Sequence, residues 1–199
     1  MTPLILASTS AARKSMLTGA GVGFNAVAPD LDEADLKQRL VTGGMGARDL
    51  AEALAEAKAL AISETQPTAL VIGADQTLAV EDGLLLDKPE TPDDAKAQLR
   101  QLSGKGHRLF SAALVAAAGV AVWNHVGIVR LSMRPLSDAF IDDYVAAHWH
   151  DIRHSVGCYQ IEGAGAQLFT KVEGDYFDVM GLPLLPLLAF LRERKLMAS

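Results

Sequence analysis

The sequence predicts one α/β unit built on a mixed sheet, in two lobes around a cleft. Apolar strand-like runs alternate with amphipathic helical stretches from end to end, the pattern of a sheet flanked by helices. At least two pairs of strand candidates are joined by turns short enough for hairpins, so the sheet cannot be wholly parallel. Half of the 199 residues are hydrophobic and 21% are charged, which supplies a sizeable core and does not suggest disorder.

Residues 3–7, Pro-Leu-Ile-Leu-Ala, form a short apolar run typical of a buried strand. Ser8, Thr9 or Ser10 can cap a helix over 11–17, and Gly19 and Gly21 stop it. A second strand is expected at 24–28, then an acidic loop, Pro-Asp-Leu-Asp-Glu-Ala-Asp, at 29–35. The clearest helix spans 47–63, with Leu50, Leu54, Ala57 and Ala61 on one face and Lys58 at the edge of that stripe. A buried strand at 69–72 runs into Gly73-Ala74-Asp75-Gln76 and continues over 77–80. Glu81-Asp82-Gly83 then turns the chain, and 84–86 returns antiparallel.

A helix opens at Thr91 or Pro92 and runs through Leu102. Gly104 and Gly106 precede two long strands near 107–118 and 121–133. Another amphipathic helix lies within 135–147, capped by Ser137, and the glycine-rich 155–181 reads as short strands and loops. A closing helix over 184–196 ends in Arg192, Arg194 and Lys195, which suit its negative C-terminal dipole. No repeat, low-complexity tract or linker interrupts the chain, so 1–199 is read as a single domain.

A formal charge of -6 argues against a general nucleic-acid binder, which needs a basic face. It is compatible with one anionic ligand held by a few local Lys and Arg residues and a divalent cation. The lone Cys158 allows no internal disulfide and fits a reducing cytoplasm. The first residues carry no basic segment ahead of their short apolar run, and no stretch approaches the roughly 20 apolar residues of a membrane span. No membrane partner is therefore expected. The five histidines lack metal-ligand spacing, and neither a Walker A sequence nor G-x-G-x-x-G is present.

Six segments could carry chemistry. Ser8-Thr9-Ser10-Ala11-Ala12-Arg13-Lys14 sits where a strand gives way to a helix, whose free N–H groups and dipole favour an anion. Ser8 and Ser10 add hydroxyl donors, and Arg13 can grip a phosphate with two parallel hydrogen bonds. An ordinary capped helix with surface charges reads the same way. Gly73-Ala74-Asp75-Gln76-Thr77, at the carboxyl end of an apolar strand, places Asp75 to bind a metal or take a proton from water, or else to close a turn on its own backbone. Asp87-Lys88-Pro89 offers either a phosphate contact or a solvated loop lysine. Asp30, Asp32, Glu33 and Asp35 can hold Mg²⁺ or Mn²⁺, or form a solvated acidic face. Gly157-Cys158-Tyr159-Gln160-Ile161-Glu162-Gly163 presents a carboxylate that could accept from the N–H edge of a guanine-like base, or a plain strand-turn Glu. Residues 173–183, rich in Gly and acids, read as a functional loop or a simple helix entry.

In register, these segments resemble the Maf family of nucleotide pyrophosphatases over essentially the whole chain. The motifs are Leu-Ile-Leu-Ala-Ser-Thr-Ser-x-x-Arg, the Asp-Glu loop, Ala-x-x-Lys-Ala, Gly-Ala-Asp-Gln, Asp-Lys-Pro, Leu-Ser-Gly-Lys-x-His, Gly-x-Tyr-x-Ile-Glu-Gly and Glu-Gly-Asp-Tyr-x-x-Val-Met-Gly-Leu-Pro. The resemblance implies an elongated mixed sheet flanked by helices and similar to the inosine-triphosphate pyrophosphatases, a homodimer, and hydrolysis between α- and β-phosphates with a divalent cation, Mg²⁺ or Mn²⁺. It implies Asp75 as the base and a metal ligand, Glu33 as a second metal ligand, and Ser8, Arg13, Lys58 and Lys88 as phosphate contacts.

Three positions sort the family by base, here Ala12, Gln76 and Glu162. The last two match the 7-methyl-GTP branch. The aromatic residue of that branch, which would face a cationic base for about 0.5–2 kcal/mol, is replaced by Ala12. The implied role is clearance of modified or non-canonical nucleotides, with a 7-methyl-GTP-like or broad base preference. The alternative is a nucleotide-sensing regulator of cell division with little catalysis. A dinucleotide or phosphosugar binder would need the glycine fingerprint that the chain lacks.

Overall fold

The computed structural model describes residues 2–197. Two compact units divide the chain. The first takes the residues up to Gln76, Phe110–Gly127 and those from Asp175 on; the second takes Thr77–Leu109 and Ile128–Gly174. Seven strands form one mixed sheet: β1 (Leu4–Ala7), β2 (Asn25–Ala26), β3 (Leu70–Val80), β4 (Leu85–Leu86), β5 (Gly106–Ala117), β6 (Val120–Met133) and β7 (Phe169–Glu173). Their order is β2-β1-β3-β5-β6-β7, with β4 beside β3. β1 lies parallel to β2 and β3, whereas β4 and β7 pair antiparallel with β3 and β6. The helices are α1 (Ala11–Gly19), α2 (Glu33–Thr42), α3 (Ala47–Ser63), α4 (Pro92–Leu102), α5 (Asp138–Ile152), α6 (Tyr176–Val179) and α7 (Leu184–Glu193). This is the predicted class, a mixed sheet flanked by helices.

In the first unit the two-residue period of the strands builds two cores. Leu4, Leu6, Ile72, Ala74, Ala113 and Val115 turn one way and meet Met16 and Leu17 of α1 and Leu184, Leu187 and Leu191 of α7. Ile5, Ala7, Val71, Ala112, Leu114 and Ala116 turn the other way and meet Ala51, Ala55, Ala59 and Ile62 of α3. α3 lies close to the sheet because both sides are small. A Cβ added at Gly73 would overlap the Ala55 carbonyl oxygen and lie 2.7 Å from the Ala59 nitrogen. In the second unit α4 and α5 pack together, and α4 opens on a clear signal. Thr91 and Asp94 bond reciprocally to each other's backbone N–H, with Pro92 at the first turn.

Several expectations need correction. Residues 33–42 are helix α2, not the rest of an acidic loop: Asp32 accepts from the Asp35 N–H at 3.0 Å, and Glu33 and Asp35 occupy the first turn, where the dipole favours carboxylates. α2 buries none of its residues; only Leu36 and Leu40, half-buried and four apart, mark an inner face. The predicted strand at 24–28 shrinks to Asn25–Ala26. The buried face of α3 is rotated from the predicted stripe. Ala57 and Ala61 are only half-buried, while Ala51, Ala55, Lys58 and Ala59 are buried. α5 runs on to Ile152, taking in His148 and His150, and α7 ends at Glu193. Finally, Gly73-Ala74-Asp75-Gln76 is not the end of a strand but the middle of an eleven-residue one.

Candidate active site

β1 stops at Ala7, which is paired with Gly73, while β3 continues past it. Ser8 therefore emerges at the carboxyl end of β1 just as Ala74 and Asp75 pass alongside, the position at which parallel α/β sheets open a crevice. Strand alternation then sorts the two polar neighbours on β3. Asp75 has the parity of Val71 and Gly73 and turns to the α3 side, whereas Gln76 shares the other side with Ile72 and Ala74.

On the α3 side, Lys58 lies between two carboxylates. Its Nζ donates to Asp75 Oδ1 at 2.6 Å and lies 2.9 Å from Glu33 Oε1. The Lys58 and Asp75 side chains are 7% and 11% exposed, against 46% for Glu33. A buried charge needs a partner and hydrogen bonds, and the sequence supplies both within one cluster. Glu33 and Asp75 each offer a hard oxygen to one cationic atom. That donor set fits Mg²⁺ or Mn²⁺, which commonly take one or two protein carboxylates and complete their shell with water and phosphate. Among the described residues, no group of three or more His, Cys, Asp or Glu is arranged to hold a metal ion.

Arg13 reaches the same region from α1. Its Nη1 donates to the Ala74 carbonyl at 2.8 Å and, at 3.4 Å, to Ser8 Oγ, and its Nε donates to the Gly181 carbonyl at 2.9 Å. Burial pulls the guanidinium below its ordinary value, and the carboxylates of Asp75 and Glu33 push it back up. Arg13 thus ties the residue before Asp75 to the 174–183 segment. Nε and Nη1 are both engaged within the protein. Ser10 proves to be the helix cap, accepting from the Arg13 N–H at 3.4 Å, while Ser8 Oγ accepts from the Ser10 N–H at 3.2 Å.

Gln76 is also engaged. Its Nε2 donates to Ser111 Oγ, the Asp178 carbonyl and the Val179 carbonyl at 2.9, 2.9 and 3.0 Å. Ser111 Oγ in turn donates to the Asp178 carbonyl at 2.6 Å. The amide therefore pins α6 to the sheet. Asp178 is the residue that sequence reasoning missed here, although it lies in a segment singled out for its acids. Its Oδ1 is buried without a hydrogen-bond partner, and a Cβ at Gly127 would overlap the carboxylate. Burial, aided by Asp175, pushes its pKa up to about 6. Ser111 had no signal, being a lone hydroxyl in an apolar strand.

The structure thus brings together Ser8, Arg13, Glu33, Lys58 and Asp75 in the first unit, with Gln76 next along β3. Ala12 is half-buried on α1. Lys88 and Glu162 belong to the second unit. Lys88 is exposed beside buried Pro89, and its N–H donates to Asp87 Oδ1 at 2.8 Å. Glu162 is exposed in a turn before a short 3₁₀ segment, Ala164–Leu168.

A model described as Maf-like protein matches residues 3–194. The chain belongs to the Maf family. Similar proteins include the nucleoside triphosphate pyrophosphatase of Sphingopyxis alaskensis, 53% identical over 95% of this chain and 96% of its own. That of Ruegeria pomeroyi is 49% identical over 96% of each chain. The 7-methyl-GTP pyrophosphatase of Brucella abortus is 45% identical, again over 96% of each. In this Maf protein no helix is long and apolar enough to cross a membrane among the described residues.

Proposed function

We propose that this Maf protein hydrolyses nucleoside triphosphates to a nucleoside monophosphate and pyrophosphate, clearing modified or non-canonical nucleotides. The observation that carries the reading is the buried Lys58–Asp75 pair, with Glu33 on the same ammonium, near the carboxyl end of β1. The names of full-length relatives support it. Asp75, held through Oδ1 by Lys58, orients a water and takes its proton. The water oxygen bonds to phosphorus, and the bridging oxygen between α- and β-phosphates leaves with the electron pair. Lys58, Arg13 and the Ser8 hydroxyl meet the phosphate oxygens, Lys88 adds a further cationic contact, and Arg13 also ties Ala74 to Gly181. Glu33 and Asp75 would hold Mg²⁺ or Mn²⁺, which offsets the negative charge that gathers on the phosphates.

For the base, Glu162 accepts from the N–H edge of a guanine-type ring. Gln76 acts from behind by fixing α6, and Ala12 leaves space where an aromatic face would narrow the choice. The preference is thus 7-methyl-GTP-like or broad. The reading also carries the homodimer and the cytoplasmic setting implied by family membership.

The test is direct: incubate the protein with a panel of GTP, 7-methyl-GTP, UTP and dTTP plus Mn²⁺ or Mg²⁺. Equal amounts of monophosphate and pyrophosphate are expected, and release of orthophosphate with a nucleoside diphosphate overturns the reading. Glu162→Gln is expected to weaken guanine-type substrates more than pyrimidine ones, and an equal loss on all bases contradicts its role.

A further inference from the structure

Four and five residues before Glu162, within the second unit, the chain takes an unusual path. Gly157 and Cys158 both adopt left-handed backbone, with φ of 76° and 62°. Glycine reaches this region freely, but a residue with a Cβ stays there only where its surroundings enforce it. The consequence is that Tyr159 turns inward and is buried. Its ring meets Phe169 edge-on at 4.7 Å and His107 at 5.7 Å between centroids. A Cβ at Gly157 would come 2.7 Å from the same ring.

The Tyr159 hydroxyl lies 2.8 Å from His107 Nε2. His107 stands on β5 and is fully buried, and its Nδ1 has no partner. Burial lowers the imidazole to about 4 and holds the phenol well above its ordinary value, so both groups are neutral at physiological pH. The one hydrogen bond between them is therefore the only one the imidazole makes among the described residues. Neither partner takes part in the hydrolytic reading given above.

Downstream, the chain closes onto this foot. The Gly163 N–H donates to the Gln160 carbonyl at 3.2 Å, and the Ala166 N–H donates to Gly163 at 3.1 Å. Gly165 presses on the same point, since a Cβ there would lie 2.5 Å from the Gln160 oxygen and 2.9 Å from Tyr159 Cβ. Glu162 sits on the exposed crown of this turn, where its carboxylate takes no hydrogen bond or ion pair among the described residues. Its position is fixed through the backbone, and the backbone is fixed at Tyr159.

We propose that Tyr159 and His107 are positioning residues for base recognition: their buried hydrogen bond anchors the foot of the 160–166 turn and so sets where the Glu162 carboxylate stands. The proposal rests on the reading of Glu162 as the base-recognising group. A pre-placed carboxylate loses less freedom when it pairs with a base, so loosening the foot weakens binding of the preferred base and leaves the chemical step alone.

The readout is the ratio of kcat/KM for 7-methyl-GTP or GTP to that for UTP, measured with the intact protein and its Tm. Tyr159→Phe is expected to lower this ratio roughly fivefold, as for the loss of one buried hydrogen bond, through KM and with kcat little changed. His107→Asn, too short to reach the hydroxyl, makes the same test in a chain that keeps the tyrosine. His107→Gln, which reaches it, retains the ratio. In a Glu162→Gln background, Tyr159→Phe is expected to change the ratio no further. An unchanged ratio in folded Tyr159→Phe or His107→Asn, while Glu162→Gln alone lowers it, overturns this proposal and spares the Glu162 reading. So does an additive loss in the double variant. An unchanged ratio in Glu162→Gln overturns the reading itself and the proposal with it.

Discussion

In the first unit two opposite charges are buried together, Lys58 and Asp75 at 2.6 Å, with the exposed Glu33 2.9 Å from the same ammonium. In the second unit the buried polar pair, His107 with Tyr159, carries no charge at all. The difference separates two uses of buried polarity. A charged cluster is costly to desolvate and is kept where charge must be handled; here Lys58 and Arg13 stand against Glu33 and Asp75, two cations to two carboxylates. A neutral pair handles no charge and fixes geometry, which is what a recognition turn needs. Asp178 lies between these cases, a carboxylate buried with one oxygen unpartnered.

The comparison is broken most sharply by removing the shared cation. Lys58→Met leaves Asp75 buried without its partner and is expected to cost about 3–5 kcal/mol by denaturant melting at pH 8. Added Mn²⁺ should restore stability to this variant more than to the parent, because the carboxylates it leaves unpaired are those that fit the ion. Equal stabilisation of both proteins would show that Lys58 does not share the ion's place. Next, Gly73→Ala forces α3 from the sheet and is expected to cost about 2–3 kcal/mol, with turnover falling because Lys58 rides on α3. An unaltered melt would contradict the close approach.

Asp178 is raised in the folded chain to about 6. Its contribution is therefore fully present at low pH and is lost as pH rises through that value. Asp178→Asn is expected to stabilise the protein by about 1–2 kcal/mol at pH 8, and the gain should vanish below about pH 4, where both states of the parent are protonated. A gain that persists in acid would rule out charge as its cause. The smallest effect belongs to His107. Its depressed value means that stability is present above the unfolded imidazole's pKa and declines as pH falls from about 6.5 towards about 4. His107→Gln should flatten that window by on the order of 1 kcal/mol. An identical acid limb in the variant would indicate that His107 is not buried and neutral.

The bounds of α3 were legible from its apolar period and those of α4 from its capping residues. α2 was not, since it buries nothing and its carboxylates look like loop acids. The setting of Asp75 was misread: Gly73 looks like turn punctuation, whereas it is glycine because α3 lies against it. Lys58 was placed at the edge of a stripe because a lysine is ordinarily excluded from the buried face, and only the two carboxylates explain why it is there. The engagement of Gln76 with Asp178 and Val179 spans about a hundred positions and leaves no local trace.

The most direct measurement is single-turnover and steady-state hydrolysis by Asp75→Asn, whose amide oxygen can still accept from Lys58. The account predicts a kcat lowered roughly 10²–10⁴-fold, with KM and Tm near those of the parent. Turnover close to the parent's in a folded Asp75→Asn protein would contradict the assignment of Asp75 as the base.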